Sequence, residues 1–267
     1  MVTALKYSNT NTYLIEGSRG SLLFDTGWAG TFGAFCKELG EKKKRVQDID
    51  LLMISHFHPD HMGIAQQIAN EGAVIAVCEV QREFIHSADR VFAKEKSSHF
   101  CPIDDTRVRY FDIQESRSLL AELGIDGEVL HTPGHSDDSI SLWLEKERTL
   151  LVGDLNPLYE LEMHKGTLIE KSWDKLLKLR PDTVCYGHAK AASLKKGLFK
   201  KTVSRQSDIY ALVKSITRLI DKGCSADVIT DKTGAKAEFI EDVARMYLTH
   251  PGVSVQGILD RIEIKGR

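Results

Sequence analysis

Hydrophobic and polar positions along the first 190 residues alternate between short apolar runs and polar turns. Asn11-Thr12-Tyr13-Leu14-Ile15-Glu16 and Ser21-Leu22-Leu23-Phe24-Asp25 flank a Gly-Ser-Arg-Gly turn, the pattern of a β-hairpin. Residues 31–39 have helical spacing. Asp50 to Ser55 is a nearly unbroken apolar run, which predicts a strand buried on both faces. A helix is expected over 64–70, a strand over 73–77 and a helix over 80–92. Strands are expected at 108–111 and 128–130, with a helix at 117–123 between them. Residues 139–144 and 149–152 read as a second hairpin, and 183–186 as a last strand.

From about residue 189 the pattern turns helical. Ile209, Leu212, Ile216, Leu219 and Ile220 fall on one amphipathic face. A second helix is expected after Ser225 and a third over 238–248. The stripe must bury against something, and the expected cover is the edge of the preceding strand-rich part. The organisation expected is therefore a catalytic domain, 1–199, and a helical extension, 200–267, acting as a lid or as a dimerisation arm.

Composition narrows the class. The chain has 267 residues, 42% hydrophobic and 28% charged, with a net charge of −2. Those are the proportions of an ordinary globular protein, and the charge gives no general drive toward nucleic acid or anionic membrane. The basic stretch Lys190, Lys195, Lys196, Lys200, Lys201 and Arg205 is read as a solvated helix face. No apolar run approaches a membrane span, and the N-terminus lacks a signal-peptide pattern. Five scattered cysteines with no paired spacing suit reduced thiols. The expectation is a cytoplasmic protein acting on a small molecule, with neither membrane nor nucleic acid as partner and a homodimer left open.

The chemistry is concentrated in Ser55-His56-Phe57-His58-Pro59-Asp60-His61-Met62-Gly63, where three imidazoles and a carboxylate occupy six positions. Neutral imidazole is the commonest metal ligand at neutral pH. His56 and His58 alternate, so extended backbone sends both to one side. Gly63 is expected to let the following helix press close to the cluster. Three more candidates directly follow glycines where strands run out: His135, Asp154 and His188. Seven N and O ligands exceed the four of one tetrahedral zinc. They divide into His56, His58 and His135 on one ion and Asp60, His61 and His188 on a second, with Asp154 as the bridge. Without a thiolate, zinc, iron or manganese could occupy the pair, zinc being the first expectation. No serine has a nucleophile-elbow setting.

His56-x-His58-x-Asp60-His61, Thr132-Pro133-Gly134-His135, Gly153-Asp154 and Gly187-His188 together resemble the metallo-β-lactamase superfamily, over about residues 10–190. The resemblance implies an α/β fold, a four-layer αβ/βα sandwich of two mixed β-sheets flanked by helices, with the site along one edge. It implies that Asp25, in Phe24-Asp25-Thr26-Gly27, supports the histidine loop. Asp154 stands where one subclass of β-lactamases has a cysteine. Leu155-Asn156-Pro157-Leu158-Tyr159 and Gly187-His188-Ala189-Lys190 depart from glyoxalase II and persulfide dioxygenases. Tyr159 lies near the place where lactonases carry a substrate-binding tyrosine.

The function expected is a metallohydrolase with two divalent ions per chain. Hydroxide held between them would attack an ester, thioester, lactone or amide, with Asp60 and Asp154 as its catalytic carboxylates. The alternatives are a mononuclear iron oxidoreductase of the persulfide dioxygenase kind and a metal-binding regulator without turnover.

Overall fold

In the computed structural model the backbone is described for residues 1–94, 99–195, 198–249, 255 and 257–259. The side chains at 162–163, 198–208 and 249 are not described. The chain forms two compact units, 1–195 and 196–267.

Eleven strands of the first unit build two sheets among the described residues. In the first sheet, β1 (Val2–Leu5), β2 (Thr12–Glu16), β3 (Ser21–Phe24), β4 (Leu51–Met53), β5 (Val74–Cys78) and β6 (Val108–Phe111) lie in that spatial order. The first three are antiparallel and the pairs from β3 to β6 are parallel. In the second sheet the order is β11 (Ala192–Ser193), β10 (Thr183–Cys185), β9 (Thr149–Leu151), β8 (Ile140–Leu144) and β7 (Gly127–His131). Only β9 and β10 pair in parallel there. Both sheets are mixed and helices flank them, as the family resemblance implies.

The period of two in a pleated strand explains the apolar runs of the first sheet. Tyr13, Ile15, Leu22, Phe24, Leu51, Met53, Ala76 and Cys78 pack with Val129, Ile140, Leu142, Leu144 and Leu151 of the second sheet. Their neighbours Leu14, Leu23, Leu52, Ile75 and Val77 face the other way. They pack with Phe35 and Leu39 of α1 (Phe32–Glu41), with Met62 of α2 (Pro59–Met62) and with Ile68 of α3 (Ala65–Asn70). A strand covered on both faces has no polar alternate.

Several elements differ from expectation. Residues 80–92 form a 3₁₀ segment, Glu79–Phe84, and a short α4 (Asp89–Phe92) rather than one helix. The Ser87 hydroxyl donates to the Phe84 carbonyl, the local competition that breaks helical ladders. Beyond α5 (Ser116–Glu122), α6 (Leu168–Leu177) had no counterpart in the sequence reading. Its apolar face is Ile169, Trp173 and Leu176, all buried. The stretch after residue 189 begins with β11, whose two residues are too few to show a period.

The second unit holds α7 (Leu198–Asp221), α8 (Ala226–Thr233) and α9 (Ala237–Thr249). Here the expectation for the stripe is corrected. Ile209 is exposed, and the buried centre is Val213 and Ile216. They pack with Ile229 of α8 and with Ile240, Val243 and Met246 of α9. The stripe is covered by its own helices, so its burial does not call for the sandwich edge.

Trp173 makes α6 a support for the loops around it. Its ring is fully buried and its Nε1–H donates to Asn156 O at 2.8 Å, while Ser172 Oγ donates to Pro133 O at 2.7 Å. Trp173→Ala should lower the unfolding free energy by about 3–5 kcal/mol, read from urea denaturation. A loss under about 1 kcal/mol would show that α6 is not part of the cooperative core.

Candidate metal centre

Strand direction sets the site. The ends of β3 and β4 in one sheet, and of β7, β9 and β10 in the other, deliver Asp25, His56, His135, Asp154 and His188 respectively. The two sheet edges are tied by Ile140 N–H donating to Ser55 O at 2.8 Å and by Asn11 N–H donating to Gly187 O at 2.7 Å. His56 and His58 leave the loop after β4 on one side while Phe57, 1% exposed, enters the core between them. Pro59 starts α2 at its first turn, where no N–H is needed, and Asp60 and His61 ride on that helix.

Donor atoms converge in three overlapping groups: His56, His58 and His135; His56, His61 and Asp154; and Asp60, His61 and His188, each within 4.8 Å. His58 Nδ1 lies 3.0 Å from His56 Nε2 and 3.1 Å from His135 Nε2. His61 Nε2 lies 3.3 Å from His188 Nε2, and Asp60 Oδ2 lies 3.0 Å from His188 Nε2. The Asp154 carboxylate reaches both sides. Its Oδ1 is 3.2 Å from His61 Nε2, and its Oδ2 is 3.3 Å from His188, 3.7 Å from His135 and 4.0 Å from His56. Zinc–nitrogen bonds of about 2.0–2.1 Å in a tetrahedron separate donors by about 3.4 Å. The ring-to-ring spacings match, and the donors are all N and O, so the residues fit divalent ions of the zinc, iron and manganese group.

Glycine makes the approach possible at one point. A Cβ on Gly187 would overlap Asp154 Oδ1 and sit 2.8 Å from His61 Cε1. Gly63 serves a different purpose from the one expected. A Cβ there would strike backbone atoms at 27–29, so its bareness lets α2 pack against the segment after β3 rather than against the histidines.

The far sides of three rings, His56, His61 and His188, are held. Asp25, buried and with φ of 64°, accepts from Ser55 N–H at 2.6 Å through Oδ1, while its Oδ2 lies 3.1 Å from His61 Nδ1. His188 Nδ1–H donates to Asn9 O at 3.0 Å, and His56 Nδ1 meets Ser55 Oγ at 3.0 Å. Thr10 Oγ1 donates to Asp60 O at 2.7 Å, and Asn11 Nδ2 donates to Tyr186 O and Ala189 O, both at 3.0 Å. The 9–11 segment thus straps Asp60 and His188, a role the sequence reading missed. Its one visible signal was a run of short polar residues before β2.

Burial and neighbouring charge set the protonation without metal. Burial, reinforced by His61, keeps His56 well below the usual histidine range, and burial lowers His135 also. Burial opposes the charge on His61, but Asp154 and Asp25 outweigh it and hold that ring well above its usual range. Burial likewise opposes His188, whose bonds to Asp154 and Asp60 raise it to about 10. Asp154 is held well below the carboxylate range by His61 and His188 against its burial, and Asp60 is lowered chiefly by His188 against the same opposition.

Tyr159 lies in the 3₁₀ turn Leu158–His164 that follows Asp154. The side chains of Lys196, Lys200, Lys201 and Arg205 lie outside the described residues. A cleft of about 220 Å³ sits at the hairpin end of β2 and β3, away from the donors. Its Lys44 is paired with Glu16 and its Arg45 with Asp48.

A profile of the metallo-β-lactamase superfamily matches residues 6–188. The chain belongs to the metallo-β-lactamase superfamily. A β-lactamase-like protein 2 homolog of Drosophila melanogaster is 26% identical over 194 residues, 70% of this chain and 60% of that protein. An atrochrysone carboxyl ACP thioesterase of Emericella nidulans is 28% identical over 150 residues, 54% of this chain and 39% of that protein. The matched stretches thus span less than two thirds of these two relatives' lengths. Among solved structures, a metallo-β-lactamase family protein of Thermus thermophilus has a TM-score of 0.52 at 20% identity, covering 100% of this chain and 93% of its own. That likeness is one of fold.

Two measurements test the geometry. Asp25→Asn keeps a residue that tolerates positive φ but turns one carboxylate oxygen into a donor facing a donor. It should weaken metal at the Asp60–His61–His188 group by about 10–100-fold, read by competition with a chelating dye; unchanged affinity would remove Asp25 from the support. Rings held protonated at pH 7 must release protons to bind metal. Affinity at this group should therefore rise with pH toward about 10, with proton release visible by calorimetry in buffers of different ionisation enthalpy. No buffer dependence at pH 7 would contradict the protonation assigned to His61 and His188.

Proposed function

We propose that the chain is a metal-dependent hydrolase of small molecules, with two divalent ions shared by the seven donors. The observation that carries the reading is the Asp154 carboxylate, whose oxygens lie 3.2–4.0 Å from ring nitrogens of both histidine groups. A lone histidine on a strand end is commonly a hydrogen-bonded core residue. Four rings turning nitrogens toward two carboxylates, with His58 facing two of those rings, are not explained that way.

When bound, the ions lower the pKa of water toward ~7 and polarise a carbonyl oxygen. The rest falls to the chain. His56 and His135, kept neutral by burial, present lone pairs. Asp154 holds the two groups in one register and balances the positive charge gathered there. Asp60, partly exposed beside His188, would accept a hydrogen bond from a water and orient it, and then move a proton toward a leaving group.

The substrate class proposed is an ester, thioester, lactone or amide, with thioesters first because the Emericella nidulans relative is a thioesterase. Asp154→Ala should lower turnover by orders of magnitude and loosen the second ion while the fold persists. Metal analysis with a panel of thioester, lactone, phosphodiester and β-lactam substrates tests the whole reading. About two zinc ions per chain with turnover supports it. One iron per chain, or metal without turnover on any substrate, sinks it in favour of an oxidoreductase or a regulator.

A further inference from the structure

Two polar side chains outside the donor set are buried like core residues: Gln81 is 0% exposed and Asp138 is 2% exposed. A primary amide so placed must find partners for its N–H groups and its oxygen. Gln81 Nε2 lies 3.0 Å from Ile54 O, 3.3 Å from Ser55 O and 3.1 Å from Asp138 O, and Oε1 accepts from Cys78 N–H at 3.4 Å. Those three carbonyls belong to two segments. Ile54 and Ser55 lead directly into His56, and Asp138 follows His135 in the loop after β7. Asp138 closes the circuit: its Oδ2 accepts from Phe57 N–H at 2.7 Å, between His56 and His58. Gln81 thus fastens the start of one histidine segment to the other loop, and Asp138 fastens its middle. The second group is held by the 9–11 strap and by Asp25 Oδ2 on His61, Asp25 touching the first segment only through Ser55 N–H, and neither Gln81 nor Asp138 bonds to it.

We propose that Gln81 and Asp138 are positioning residues for the His56–His58–His135 group alone, setting the distance between its two chain segments. The inference rests on the reading of these histidines as metal ligands. A buried amide kept only for stability would lower both metal affinities together, or neither. A positioning amide lowers one.

The full-length chain, labelled with ¹⁵N-histidine, is titrated with Zn²⁺ and followed by ring-nitrogen NMR. Gln81→Met keeps the length of the side chain and removes every donor. It should weaken the site that shifts the His56, His58 and His135 rings by about 10–100-fold, with the site that shifts His61 and His188 unchanged. Leu144→Ala, a core truncation in β8, supplies a destabilised control and should leave the ratio of the two affinities as in the wild type. Asp138→Ala should repeat the selective loss. Asp138→Asn, whose amide oxygen still accepts from Phe57 N–H, should restore it, and this pair decides the matter if Gln81→Met does not fold. Equal weakening of both sites, an unchanged first site, or Asp138→Asn as weak as Asp138→Ala would overturn the proposal. A wild-type chain that binds no Zn²⁺ would instead remove the metal reading beneath it.

Discussion

Charge balance at one sheet edge is the constraint on which the rest of the structure depends. Five imidazoles and two carboxylates, with His56 and His61 buried and His58 and His135 exposed, are tolerable so close together only if lone pairs and protons are shared out. The carboxylates are held ionised by neighbouring rings, His61 and His188 carry protons, and the buried ring of His56 is held neutral. Protons and divalent cations answer the same need, which is why the arrangement that stabilises the one prepares for the other.

Two mixed sheets suit that constraint. Parallel pairing from β3 to β6 and of β9 with β10 brings strand ends to a common edge, where side chains leave the ladder without breaking its hydrogen bonds. Rigid strands fix where each loop begins, and buried polar contacts from Asp25, Asn11, Gln81 and Asp138 fix where each loop goes.

What was legible in the sequence follows from this division. The donor residues are dense and chemically unusual, so they announce themselves, and the fully buried strands show as apolar runs. β1 and β11 are short edge strands with half-exposed residues, too brief for a period to stand out. In α6 the apolar positions Ile169, Trp173 and Leu176 have helical spacing, but the sequence reading passed over them between better-marked elements. The supports were invisible for a different reason. Gln81 sits in a stretch read as an amphipathic helix, where a glutamine suggests solvent. Asn9 acts through its carbonyl, which every residue possesses. The amphipathic stripe of α7 is legible but its partner is not, because pattern shows that a face must be covered, not by what.

The distance along the chain between donors has a kinetic meaning. His61 and His188 face each other across 127 positions, and Phe57 and Asp138 across 81. Contacts of such long sequence separation form late and slowly, since the loop they close must be ordered first. A nascent chain that has made only the first sheet owns His56, His58, Asp60 and His61 but lacks His135, Asp154 and His188. Tight loading must then wait for the second sheet, and an ion that binds the finished edge favours the folded state by mass action. The centre is thereby a clasp that shuts last, and its occupancy reports that both halves of the sandwich have found each other.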